Sequence, residues 1–249
     1  VAHKTRTDRR AAIVANDEAA RQVAVTPDRK QQLVELLVFL FLITPSLVFS
    51  FFMNAEAGVS FNLTAWAVIL RDLALAGLVF FFLWRNGEAP GRIGWSFSRG
   101  WTDVGLGVVL FVPFSFLIAF LESALQGIGL SGPPVQVPSF LAARDTLQFV
   151  LAAFLVTVVA LTEEIIFRGY LIRRLTAVTR STPLAVLLSA VIFSLGHGYE
   201  GAAGVITVGT MGLLFAMVYI WRGSLVVPIV IHFLQDFSGI VLMPLLGHG

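Results

Sequence analysis

Cysteine is absent from this chain, which rules out disulfides and thiolate metal sites and leaves the redox compartment unread. Charge is scarce as well. Asp, Glu, Lys and Arg make up 13% of the residues against 57% hydrophobic ones, with a mean hydropathy of +0.86, a balance that excludes an ordinary soluble domain. The alternating segments of about ten residues that mark a transmembrane barrel are missing too. So are an internal repeat, a heptad pattern and a composition break that would signal a second domain. The net charge of +2 with a pI near 9.4 reflects loop arginines and offers no patch for nucleic acid.

What the chain has is apolar runs of about twenty residues, the length a helix needs to cross a bilayer. They lie at about 33–53, 63–84, 103–122, 146–167, 183–203, 204–221 and 224–246. The expected fold is all-α: a polytopic transmembrane helix bundle of about seven spans, six to eight at the limits. Residues 1–32 are polar and mixed in charge, too hydrophilic for a cleaved signal peptide. They are expected to form a mobile cytoplasmic tail, with 33–249 as the transmembrane domain. The third loop, Gly127–Pro138, is rich in Gly and Pro and should be irregular.

Arginines alternate between loops. Arg85, Arg92 and Arg99 follow the second span, Arg168, Arg173, Arg174 and Arg180 the fourth, and Arg222 ends the sixth, while the intervening loops are nearly free of basic residues. By the positive-inside rule the N-terminus is cytoplasmic. Residues Arg173–Arg180 read as a short interfacial helix. A cluster of small residues, Gly196, Gly198, Gly201, Gly204, Gly209 and Gly212, marks spans that approach closely.

Three spans carry polar residues that lipid would penalise by kilocalories each, which makes a site the default reading. The first reads Glu163-Glu164-Ile-Ile-Phe-Arg168, the second Phe193-Ser-Leu-Gly-His197, the third His232-Phe-Leu-Gln-Asp236. Adjacent glutamates point about 100° apart on a helix. Glu164 lies four residues before Arg168, the favourable order for an ion pair, which leaves Glu163 to face inward. His232 and Asp236 share a face by the same spacing, and His197 adds a third helix. At about 1.5 Å per residue, Glu163 and His232 both lie roughly 15 Å from the nearest basic residues, whereas His197 lies roughly 25 Å from Arg180. The interfacial segment must therefore dip, or the fifth helix must begin below the membrane plane, to bring His197 level.

A glutamate in a low-dielectric cavity is a stronger base than one in water, which suits it to activate a water molecule. A neighbouring histidine can share that water or protonate a leaving amine, and a second can help to stabilise an oxyanion. Glu163, His197, His232 and Asp236 thus suffice to hydrolyse an amide without a covalent intermediate. Two histidines and a carboxylate are also a ligand set for catalytic zinc. No HExxH helix is present, however, and the ligands would come from separate spans, so neither metal nor cofactor is expected.

The three motifs, in this order and spacing, resemble the EExxxR, FxxxH and HxxxN/D motifs of the CAAX-protease and bacteriocin-processing family of intramembrane peptidases. The resemblance runs from about 157 to 237. It implies that Glu163 activates water with His197, that His232 and Asp236 assist the oxyanion or orient the site, and that Glu164 and Arg168 hold the helix in place. Because a carboxylate is a poor oxyanion donor, Asp236 is read as orienting His232.

The expected activity is that of an intramembrane endopeptidase whose cavity opens toward the cytoplasm. Its partners would be the bilayer and a membrane-associated peptide or protein substrate, with a larger membrane complex compatible with the same reading. Arginine far outnumbers lysine, and Ala, Val and Gly are abundant, which points to a bacterial plasma membrane. Two rivals stand beside this reading. One is a non-catalytic accessory or immunity subunit using the same fold. The other is a transporter, which would show two pseudo-symmetric halves, and none are visible. Arg71-Asp72 reads as a structural ion pair, Glu122 as interfacial, Val79–Leu83 as lipid-facing, and Trp66, Trp84, Trp95, Trp101 and Trp221 as interfacial anchors.

Overall fold

The computed structural model describes residues 28–53, 59–130, 138 and 140–247. Every regular element among them is helical, as lipid requires of a single-chain bundle whose backbone polar groups must be satisfied within each segment. The helices are α1 (Arg29–Ser50), α2 (Phe61–Arg85), α3 (Gly100–Gly127), α4 (Thr146–Glu163), α5 (Ile172–Thr179), α6 (Thr182–Leu195), α7 (Gly201–Arg222), α8 (Val226–Asp236) and α9 (Met243–Gly247). Two π-helical segments, Glu164–Leu171 and Phe237–Leu242, join α4 to α5 and α8 to α9 without a break. Helix starts follow local chemistry. Ser60, Asp145 and Ser181 each accept the backbone N–H three residues on, as N-caps do.

Among the described residues, six helical stretches are long and apolar enough to span a membrane, and Thr182–Leu195 is a shorter apolar helix of 14 residues. The fold is thus a polytopic helical bundle. The expected fifth span, 183–203, stops early because the chain leaves the helix at Gly196, turns through Gly198–Glu200 and restarts at Gly201, whose φ of 72° favours glycine. The expected tail falls outside the described residues up to 27, and α1 already begins at Arg29. Most of the expected irregular third loop, 131–137, likewise lies outside them.

Residues 146–179 form one helical stretch of 34 residues. At about 1.5 Å per residue it is roughly 50 Å long, well beyond a hydrocarbon core of about 30 Å. The expected separate interfacial helix at Arg173–Arg180 is therefore a continuation of this stretch. The 14-residue α6 that follows it ends at Leu195, two residues before His197.

The arginine-rich ends of the helices gather on one face, and they are more than topological markers. Arg85 pairs with Glu35 at 2.6 Å, and Arg174 with Glu88 at 2.7 Å and Glu35 at 3.2 Å. Arg173 pairs with Glu88 at 3.0 Å, and Arg222 with Asp103. Arg29 and Arg99 donate to the carbonyls of Val178 and Arg222. Burial alone would raise the Glu88 carboxyl, but the hydrogen bond and charge of Arg174 and the charge of Arg173 outweigh it and hold Glu88 below the ordinary carboxylate range.

Close packing uses glycine where expected at two positions. A Cβ on Gly198 would meet the Phe51 ring at 2.6 Å, and one on Gly212 would meet Phe193 at 3.1 Å. Gly107 does the same on α3, where a Cβ would lie 2.6 Å from Val230 of α8. The phenylalanine-rich run departs from expectation: Val79, Phe82 and Leu83 are buried, and in that run Phe81 is exposed. Phe82 stacks on Tyr170 with ring centroids 6.1 Å apart, so this face of α2 seats the π segment rather than meeting lipid. All five tryptophans are exposed.

Candidate active site

Glu163 ends α4 and Glu164 opens the π segment, whose i→i+5 hydrogen bonds widen the helix at this point. Insertions of this kind are frequent at functional sites. One carbonyl of the segment, that of Phe167, accepts a bond from the buried Ser189 hydroxyl of α6 at 2.7 Å. Glu164 turns inward and is fully buried, pairing with Arg168 at 2.8 Å. The Arg168 guanidinium lies 4.3 Å from the centroid of Phe193 and 5.0 Å from that of Phe215, a cation held between two aromatic rings. Glu163 points instead into a cavity of about 690 Å³, and its Oε2 has no hydrogen-bond partner.

His232 stands at the centre. Its ring stacks on Phe215 with centroids 5.2 Å apart. Nδ1 lies 2.8 Å from Glu164 Oε1, and because a carboxylate only accepts, Nδ1 carries the proton. That leaves Nε2 toward the cavity, 3.4 Å from Asp236 Oδ2 and 3.8 Å from Glu163 Oε2. Asp236 closes α8, so the four-residue spacing seats it beside the histidine.

His197 sits in the turn between α6 and α7. The turn is tied to α1 by Ser50, whose hydroxyl donates to Leu195 O at 2.6 Å and accepts from Gly198 N at 3.2 Å. His197 Nδ1 lies 3.3 Å from the Phe193 carbonyl, so Nδ1 is the donor and Nε2 keeps its lone pair. His197 shares the cavity wall with Glu163, His232 and Asp236 without a direct hydrogen bond to any of them. All four expected site residues therefore line one cavity, while Glu164 and Arg168 lie behind its wall. Among the described residues, no three His, Asp or Glu side chains are grouped as ligands of a metal ion.

Two features were not anticipated. Arg71 and Asp72 of α2 line the same cavity, and both act electrostatically on Glu163. The cavity also runs away from the arginine-rich face. Its wall includes Gln126, Leu130, Phe140 and Tyr199, at the helix ends opposite the arginines. Its wall thus extends toward the face opposite the one expected, and the ion-pair network among Glu35, Glu88 and the arginines lies at the basic end.

Residues 145–238 match the family model described as type II CAAX prenyl endopeptidase Rce1-like. The motif-bearing segment is Rce1-like. The match agrees with the family resemblance of the three motifs and supports a protease. With six stretches among the described residues long and apolar enough to span a bilayer, the chain is a multi-pass membrane protein. No curated protein and no solved structure matches it. The Rce1-like segment takes in α4 through α8 and so holds all three motifs. Helices α1 to α3, which supply Ser50, Arg71 and Asp72, lie outside it.

Proposed function

We propose that this chain is an intramembrane endopeptidase that hydrolyses a peptide bond in a membrane-associated peptide or protein, using water activated by Glu163. The observation that carries the reading is the Glu163 carboxylate. It reaches the cavity with Oε2 unpartnered, beside one histidine at 3.8 Å and with a second on the same wall. A buried carboxylate left unbonded costs stability and is retained where a reaction needs it.

In this mechanism Glu163 takes a proton from a water that His197 Nε2 helps to orient, and the hydroxide forms a C–O bond to the scissile carbonyl. The tetrahedral oxyanion is met by His232 as the imidazolium: Nδ1–H donates to Glu164, and Nε2–H, beside Asp236, turns to the oxyanion. Collapse breaks the C–N bond, and Glu163 passes its proton to the leaving amine. Water is added across the bond, and the enzyme returns to its starting state. Arg168 acts at one remove, fixing Glu164 and through it the histidine ring.

With the arginine-rich face cytoplasmic, the cavity receives its substrate from the other side of a bacterial plasma membrane. The test is turnover by the purified protein in lipid nanodiscs, using a library of N-palmitoylated peptides read by mass spectrometry. The wild-type chain is expected to release defined fragments, and Glu163→Gln to lose at least about 100-fold in rate. Equal fragment release by both proteins would overturn the reading. So would a cellular phenotype that survives Glu163→Gln, which would favour the accessory-subunit alternative.

A further inference from the structure

Arg71 lies near the middle of α2, outside the Rce1-like segment, and no motif accounts for it. Among the described residues lining the cavity it is the sole Lys or Arg, set among the carboxylates Asp72, Glu122, Glu163, Glu200 and Asp236. Its side chain is 42% exposed while that of Asp72 is 3% exposed, so the acid is buried and the cation is presented. Asp72 Oδ1 takes Nε and Nη2, each at 2.8 Å, and Ser46 Oγ of α1 takes Nη1 at 2.8 Å. Those contacts fix the guanidinium plane and leave an N–H on each of Nη1 and Nη2, the pair with which arginine grips a carboxylate bidentately. The Arg85–Glu35 pair has the same exposure pattern, 45% and 1%, but Arg85 does not line the cavity and Arg71 does.

We propose that Arg71, oriented by Asp72 and Ser46, binds a carboxylate of the peptide substrate and so sets which peptides the cavity accepts. This rests on the proteolytic reading of the cavity. The carboxylate has two sources, the C-terminus of the peptide or an acidic side chain within it. Apart from the two histidines of the catalytic centre, the other ionisable wall groups discussed are carboxylates, so one arginine at a fixed position sets the register of an acidic group relative to Glu163.

The test uses three N-palmitoylated nonapeptides of one apolar sequence: a free C-terminal acid, its C-terminal amide, and the amide with one internal glutamate. Binding is read by fluorescence anisotropy on nanodisc protein, and turnover by fragment release. Wild type is expected to bind at least one carboxylate-bearing peptide about ten-fold or more tighter than the plain amide. Preference for the free acid identifies the C-terminus, and preference for the glutamate peptide identifies a side chain. Arg71→Gln should raise KM for the preferred peptide to that of the amide, with any change in kcat shared by all three peptides, and Arg71→Lys should restore part of the preference. Binding without carboxylate preference overturns the proposal, as does an Arg71→Gln loss of binding that falls equally on all three peptides. Carboxylate-selective binding without cleavage by wild type would retain the Arg71 assignment and overturn the proteolytic reading instead.

Discussion

His232 Nδ1 and Arg168 Nη1 meet the same oxygen, Glu164 Oε1, each at 2.8 Å. Glu164 therefore belongs to two relationships at once, a buried ion pair along its own helix and a hydrogen bond across to α8. The adjacent Glu163 has neither, and its Oε2 is unpartnered. The same substitution at the two positions should have opposite signatures. Glu164→Gln leaves a buried guanidinium uncompensated, a loss of about 3–5 kcal/mol, and should lower the melting temperature of detergent-solubilised protein sharply. Glu163→Gln should leave it unchanged or raised while abolishing turnover. Equal melting temperatures for the two variants would contradict the division of labour.

Asp236 lies 3.4 Å from His232 Nε2 and lines the cavity. If it orients the imidazole, the amide of Asp236→Asn can still accept a hydrogen bond, and kcat should fall by roughly ten-fold. Asp236→Ala, which removes the acceptor, should fall further, with KM little changed in both. Single-turnover rates on one peptide separate these outcomes. A variant series in which Asn and Ala are equivalent would assign Asp236 to packing alone.

Helix α3 bears on α8 through Gly107, where a Cβ would lie 2.6 Å from Val230 and 3.2 Å from the Val227 carbonyl. Val230 is two residues from His232. Gly107→Val must push α8 away, at about 1–3 kcal/mol for overpacking, and should lower the melting temperature and turnover together. Gly77→Ala, where a Cβ meets nothing within 4 Å, is the matched control and should change neither.

Much of the site could be read from residue order alone. Glu163, His197, His232 and Asp236 interrupt apolar runs, and spacing puts Glu163, His232 and Asp236 on predictable helix faces, whereas His197 lies in the turn after α6. The Glu164–Arg168 pair follows from the i, i+4 rule. The contact between Glu164 and His232 does not, because it links residues 68 apart and depends on how α8 packs against the π segment. That segment is invisible in composition as well, since i→i+5 bonding is set by the packing around it. Arg71 and Asp72 could be paired from adjacency, but their place on the cavity wall required the packing of α2 against α4. Buried Glu35, Glu88 and Asp103 sit near span ends, where position in the chain reads as interface. Their burial comes from arginines contributed by other helices.

Glu88 offers a pH signature outside the spanning segments. Its carboxyl is held below the ordinary range because Arg174 and Arg173 outweigh the cost of burial. The unfolded chain binds its proton near pH ~4.3, so the folded state binds fewer protons in this window. The stabilisation is complete above that value and is lost as pH falls through the lower folded one. Wild type should therefore lose melting temperature between about pH 5 and pH 3. Glu88→Gln, already lowered at pH 7, should show a shallower fall over the same interval. Parallel curves for the two proteins would detach Glu88 from the acid sensitivity.

The absence of cysteine makes the side of cavity access directly measurable, because a single introduced thiol is the only one in the chain. Gln126 is exposed and lines the cavity at the end opposite the arginines, and Arg92 is exposed at the arginine-rich end. If that end is cytoplasmic, Gln126→Cys should react with a membrane-impermeant maleimide in intact cells. Arg92→Cys should react only after permeabilisation. Occupation of the cavity by a cleavable peptide should then slow labelling at Gln126→Cys and leave Arg92→Cys untouched. The reverse labelling pattern would put the opening on the cytoplasmic side and would require the positive-inside assignment of the loops to be inverted. Slowing at both positions would mean that the peptide does not occupy the cavity wall described by Glu163 and Phe140.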